Sequence, residues 1–95
     1  MTKAFAREHL KRLLDIFLVV PGRNLLLTAE VNEICAAFQR EDFQPQESVS
    51  EKLKLISGSA AVLFGDRKWS GRLEIQQAIA RHAINKLGRL IDVSP

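Results

Sequence analysis

The chain has no tyrosine, one cysteine, one tryptophan and two histidines among 95 residues. A single cysteine, Cys35, permits no internal disulfide framework and no multi-cysteine metal site, and it fits a reducing compartment. The longest uninterrupted apolar runs have five residues, as in Ile16 to Val20, whereas a membrane span needs about 20 and a signal-peptide core roughly 7 to 15. No spanning segment is expected, no membrane partner is implied, and a cytoplasmic location follows as the expectation. The first segment is basic and amphipathic, but Glu8 and Asp15 run against a mitochondrial presequence, which is poor in acids.

Catalytic and cofactor patterns are also missing. A nucleophile needs an adjacent base and a group that orients the base, and the only imidazoles are His9 and His82. Cys35 reads instead as a small buried hydrophobe. His9 falls in an apolar arc and His82 on a polar face, and neither has the paired spacing of a metal ligand. Gly58 and Gly65 lack the Lys-Ser/Thr ending of a phosphate loop and the spacing of a dinucleotide turn. The stretch around Ser57 is not a nucleophile elbow, and the acids form no calcium loop. The expectation is a non-enzymatic protein without cofactor, metal or small-molecule substrate.

Strand-like alternation is absent, and helical periodicity takes its place. In the first segment Phe5, Ala6, Leu10, Leu13, Leu14, Ile16, Phe17 and Val20 share one side of a helix that Pro21-Gly22 should end. A second helix is expected from a Thr28 N-cap, with Leu27, Val31, Ile34, Cys35 and Phe38 as its stripe. Ser48 and Glu51 have the spacing of a capping box that would open a third.

The small-residue island Ser57-Gly58-Ser59-Ala60-Ala61 looks like a break in that third helix. Yet Val49, Leu53, Ile56, Ala60, Leu63 and Phe64 keep one phase across it. A helical glycine costs about 1 kcal/mol relative to alanine, while each large apolar side chain kept in register contributes roughly 1.5 to 3 kcal/mol. Continuity is therefore favoured, with a stop at Gly65. The fourth helix follows Ser70, with Leu73, Ile79, Ala80, Ala83, Ile84, Leu87, Leu90 and Ile91 on one side. At this length one domain is expected: all-α, a compact bundle of four helices at about 4–20, 28–41, 48–64 and 71–91.

Two binding functions compete. The first is protein interaction or self-association, as an adaptor, regulator or homodimer. Its warrant is a surplus of apolar residues off the core arcs: Leu18, Val19, Leu25, Leu26, Leu55, Val62 and Ile75. Contiguous exposed apolar surface commonly marks a partner site. Leu55 and Val62 flank Gly58 and would edge a groove; with Leu18 and Leu26 these five are the candidate partner-binding residues. The alternative is nucleic-acid binding through Arg67, Lys68 and Trp69, joined by Arg81, Lys86 and Arg89 on the fourth helix. Net charge is +3 and unevenly spread. Residues 28–51 carry six acids and one base, and residues 67–89 six bases and one acid. That polarity also suits pairing between copies, where complementary charge adds specificity more than affinity.

Overall fold

The computed structural model describes residues Met1–Pro95. Four helices follow one another: α1 (Lys3–Ile16), α2 (Leu25–Arg40), α3 (Gln46–Leu63) and α4 (Leu73–Leu90). Each packs on two others, α1 on α2, α2 on α3, α3 on α4 and α4 on α1, with no diagonal contact. Short connections between successive helices make neighbours antiparallel. The result is an all-α four-helix bundle, 35 × 21 × 20 Å in extent, whose most extensive internal contact joins α3 to α4. No helix is long and apolar enough to cross a membrane.

Twenty-one buried apolar residues form one core cluster along the bundle axis. The expected stripes supply it: Leu10, Leu13, Ile16 and Phe17 from the first segment, Val31, Ile34, Cys35 and Phe38 from α2, and Ala80, Ala83, Ile84 and Leu87 from α4. From the third segment come Val49, Leu53, Ile56, Ala60, Leu63 and Phe64. The α3 helix runs through Ser57, Gly58 and Ser59 without interruption, as the phase of its apolar residues predicts.

The ends of the helices differ from expectation. The first helix stops at Ile16, four residues short of Val20, and Leu18 and Val19 continue only as tight turns onto the Asp15 and Ile16 carbonyls. The early stop frees the 17–24 connection to reach the end of α3. There the N–H groups of Gly22 and Asn24 donate to the carbonyls of Leu63 and Phe64 at 2.9 and 2.7 Å, satisfying acceptors that a helix end leaves without partners. Phe17 is thereby seated against Phe64, with ring centroids 6.1 Å apart. Val20, placed in the core arc by periodicity, is 83% exposed, and Phe5 is exposed too.

Asn24, rather than Thr28, caps α2: its side-chain oxygen accepts the N–H of Leu27, one turn before the expected start. The third helix begins at Gln46, following Pro45, so Ser48 and Glu51 lie inside it and form no capping box. Glu47 in the first turn supplies the favourable negative charge there. Ser70 caps nothing; α4 starts at Leu73 after an extended Arg72. Its C-terminus closes with the N–H of Asp92 on the Arg89 carbonyl and that of Val93 on the Gly88 carbonyl. With Asp92 at φ 58°, these bonds make a Schellman motif.

Candidate functional site

The three residues at the centre of the island face three different neighbours. The Ser57 hydroxyl donates to the Asn32 side-chain oxygen of α2 at 2.8 Å. The Ser59 hydroxyl donates to the Gln76 side-chain oxygen of α4 at 3.0 Å, and both residues are buried. Gly58, between them, faces a surface groove. Ser59 and Gln76 are the only buried polar residues, and no buried polar side-chain atom lacks a partner. The pair fixes the α3 and α4 registers against each other, because an orphaned partner would carry its full desolvation cost.

The groove has a volume of about 660 Å³ and lies between α3, the start of α4 and the 64–72 connection. Leu55, Val62, Ile79 and Trp69 supply its apolar surface. Lys54, Arg67 and Lys68 rim it, and Glu51 is its one acid. The connection turns back along α3 because Gly65 allows it: a Cβ there would lie 2.8 Å from the Ala61 carbonyl oxygen. The Arg67 N–H then donates to that same carbonyl at 3.1 Å. One guanidinium nitrogen of Arg67 comes to rest 3.2 Å from where a Cβ on Gly58 would sit. The close neighbour that Gly58 admits is therefore this chain's own Arg67. Trp69 folds its indole edge over Gly71 and remains 45% exposed.

Two groups of residues expected to serve rival functions thus share one groove: Leu55, Gly58 and Val62 with Arg67, Lys68 and Trp69. The remaining candidates lie elsewhere. Leu18 and Leu26 sit at the end of the bundle, outside every surface depression. Arg81 reaches α1, donating to the Leu14 carbonyl at 3.2 Å. Arg89 lines a shallow recess at the far end of α4 with Asp92, and Lys86 lines none. The six basic-face candidates do not form one surface.

Lys54 and Gln76 carry no expectation from the sequence, while Glu51 enters there only as half of a capping box and Ile79 only on the apolar side of the fourth helix. Glu51 and Lys54 were legible, since 51, 54, 55, 58 and 62 recur at the three- and four-residue spacing that places side chains on one helix face. Gln76 and Ile79 join only through the packing of α4 on α3.

Chemistry elsewhere is sparse. Burial pushes the Cys35 thiol up to about 12, and its Sγ lies 3.9 Å from the Leu53 carbonyl. A thiol so held has little thiolate to act as a nucleophile. No three His, Cys, Asp or Glu side chains converge as a metal cage requires. His9 packs among Phe5 and Phe38, edge-on to the latter at 5.9 Å. No family model, curated protein or solved structure matches the chain.

Proposed function

We propose that the chain is a non-enzymatic protein-interaction module whose α3/α4 groove takes an acidic amphipathic helix of a partner protein. One observation carries the reading: an apolar floor and three cations without ion-pair partners share the same groove. Lys54, Arg67 and Lys68 enter no salt bridge. A helix laid in a groove presents apolar anchors at three- and four-residue spacing. Acids flanking those anchors would meet the cationic rim, which sets orientation and excludes basic competitors. Nucleic acid is the weaker reading, because Arg81 and Arg89 point to other surfaces and leave a strand only the groove's own Lys54, Arg67, Lys68 and Trp69 to follow.

The fluorescence of Trp69, the only tryptophan, tests this directly. Acidic amphipathic helical peptides are expected to perturb it, with basic peptides of the same apolar pattern silent. Gly58→Leu should abolish the response by filling the groove. The fold should survive, because the side-chain tip of Arg67 is all the new Cβ meets and leucine is the better helix former. Binding of single-stranded nucleic acid in preference to acidic peptides at equal salt would overturn the proposal. So would a response in Gly58→Leu equal to wild type. A salt-resistant dimer lost in Gly58→Leu would assign the groove to a second copy.

A further inference from the structure

The floor of the α3/α4 groove holds one polar group that the fold leaves idle. Gln76 lines the groove and is only 7% exposed. Its side-chain oxygen accepts the Ser59 hydroxyl at 3.0 Å, while its side-chain NH2 donates to no acceptor of the protein. Every fully enclosed polar side-chain atom in the molecule has a partner, so this NH2 opens onto the groove instead of being sealed in the core. An amide so nearly buried has little access to water, and donors left unused in such a place are costly. We infer that the Gln76 NH2 and the Arg67 guanidinium form a subsite for a single carboxylate. The occupant rests on the helix-in-groove reading given above: it is one Asp or Glu side chain set among the apolar anchors of the bound helix, a position-specific contact distinct from the charge of the rim.

Three observations converge on that chemistry. First, the two donors stand over consecutive positions of α3. Arg67 lays a guanidinium nitrogen 3.2 Å from where a Cβ on Gly58 would sit, and Gln76 is held by the next residue, Ser59. Second, no acid of the protein competes for them. Arg67 enters no salt bridge, and its chain neighbour Asp66 is engaged by Arg23 at 2.7 Å. Glu51, the groove's one acid, precedes Gly58 by seven residues, about 10 Å along the helix, and faces Lys52 at 3.6 Å. Third, the surroundings are apolar, with Leu55, Val62 and Ile79 lining the same groove. Hydrogen bonds to a carboxylate strengthen where water is excluded.

A carboxylate matches these donors in charge and in number. It brings one negative charge and two acceptor oxygens, one for the guanidinium and one for the amide. A side-chain amide in its place would offer a single oxygen and turn its own NH2 against one of the two donors. A phosphate carries close to two charges and three acceptor oxygens, and between apolar walls one cation and one neutral amide would leave part of that charge unmet. Lys54 and Lys68 remain at the rim, where they serve acids that flank the anchors.

Two helical peptides, titrated against Trp69 fluorescence, supply the test. Both carry leucines at positions i, i+4 and i+7 and the same flanking acids; one has glutamate at i+3, inside the apolar stripe, and the other glutamine. Wild type should bind the glutamate peptide about tenfold more tightly or better, the worth of one charge-assisted contact. Ser59→Ala/Gln76→Leu, which leaves neither partner of the buried pair orphaned, should lose most of that preference, and so should Arg67→Met. Circular dichroism confirms that both variants fold. Equal binding of the two peptides by wild type overturns the subsite and leaves the helix-in-groove reading standing. A preference that survives in Ser59→Ala/Gln76→Leu also overturns it, since the rim alone would then account for the discrimination. Octanoate and octanamide, which have no helix, separate the two claims should neither peptide bind. A response to octanoate but not octanamide, lost in Ser59→Ala/Gln76→Leu, would uphold the carboxylate subsite and overturn the helix reading. Silence from both peptides and from octanoate overturns the two together.

Discussion

The two ends of the bundle are built from similar materials and dispose of them in opposite ways. At the end where α1 begins and α4 stops, aromatic groups stack on one another: Phe5, His9, Phe38 and Phe43 stand in a chain with ring centroids 5.9 to 6.2 Å apart, running from the exposed Phe5 to the buried Phe38 and half-buried Phe43. The C-terminal tail folds over that end, with Arg7 donating to the Ser94 carbonyl at 3.0 Å and Lys3 reaching Asp92 at 3.3 Å. The other end, the tip where α1 and α3 finish and α2 and α4 begin, has one buried aromatic pair, Phe17 and Phe64. It projects seven large apolar side chains into solvent, five between Leu18 and Leu26 and two, Leu73 and Ile75, at the start of α4. Backbone bonds tie both ends into the fold, so the exposed residues of the tip are not the residue of a poorly formed loop. Burial at one end serves stability, while the surplus at the other is free to serve binding.

The contrast is broken most severely at the tip's own interior. Phe64→Ala removes a fully buried ring and should cost about 3 to 5 kcal/mol, read as a fall in the urea midpoint. Val20→Ser, only a short way along the same end, should stay within about 0.5 kcal/mol. Equal losses from the two would show that the exposed tip residues are structural after all. At the opposite end Gly88→Ala probes the folded-back tail. Its Cβ would lie 2.6 Å from the Val93 carbonyl oxygen and 3.3 Å from the Pro95 ring. The tail must lift, and the expected loss is about 1 to 3 kcal/mol even after the gain of about 1 kcal/mol in helix propensity. Ser59→Ala should follow at about 1 to 2 kcal/mol, because it strands the buried Gln76 amide. Ser59→Ala/Gln76→Leu should recover most of that loss, since removing both partners leaves nothing unsatisfied.

The residues that were legible in the sequence are those whose roles are set by local periodicity. The α3 stripe from Val49 to Phe64 is such a case: five or six side chains in phase outweigh one glycine, and the island had to be helical. Helix ends were not legible in the same way. The first helix stops before Pro21-Gly22 because two N–H groups of the following connection, those of Gly22 and Asn24, are drawn to the carbonyls of Leu63 and Phe64, far along the chain. Periodicity placed Val20 in the core for want of that information. The groove was half legible. Leu55, Gly58 and Val62 follow from helical spacing, but their union with Arg67 depends on how the 64–72 connection turns at Gly65, and the Gln76 floor depends on α4 packing. The scatter of Arg81, Lys86 and Arg89 has the same origin: shared membership of a polar helix face does not make a shared surface once neighbours occupy part of it.

The smallest expected effect lies a little over one turn inside the tip, where Arg12 of α1 clasps Glu30 of α2. Both guanidinium contacts engage the carboxylate, the Nη2 to Oε1 distance being 2.8 Å. The hydrogen bond from Arg12 holds the Glu30 carboxyl below its ordinary value, partly opposed by desolvation. A carboxyl whose folded pKa lies below its unfolded value, about 4.3 for glutamate, contributes stability above that value and loses it as pH falls through the folded pKa. Side-chain exposures of 47% and 36% leave the pair well screened, so its contribution is expected at no more than about 1 kcal/mol. Urea unfolding of wild type and Glu30→Gln should therefore differ slightly at pH 7, and the two should converge as pH drops below about 4. Because the pair joins α1 to α2 while the groove is lined by α3, α4 and the 64–72 connection, Glu30→Gln should leave the Trp69 response at its wild-type value. A change would mean that the groove depends on how these two helices are held together.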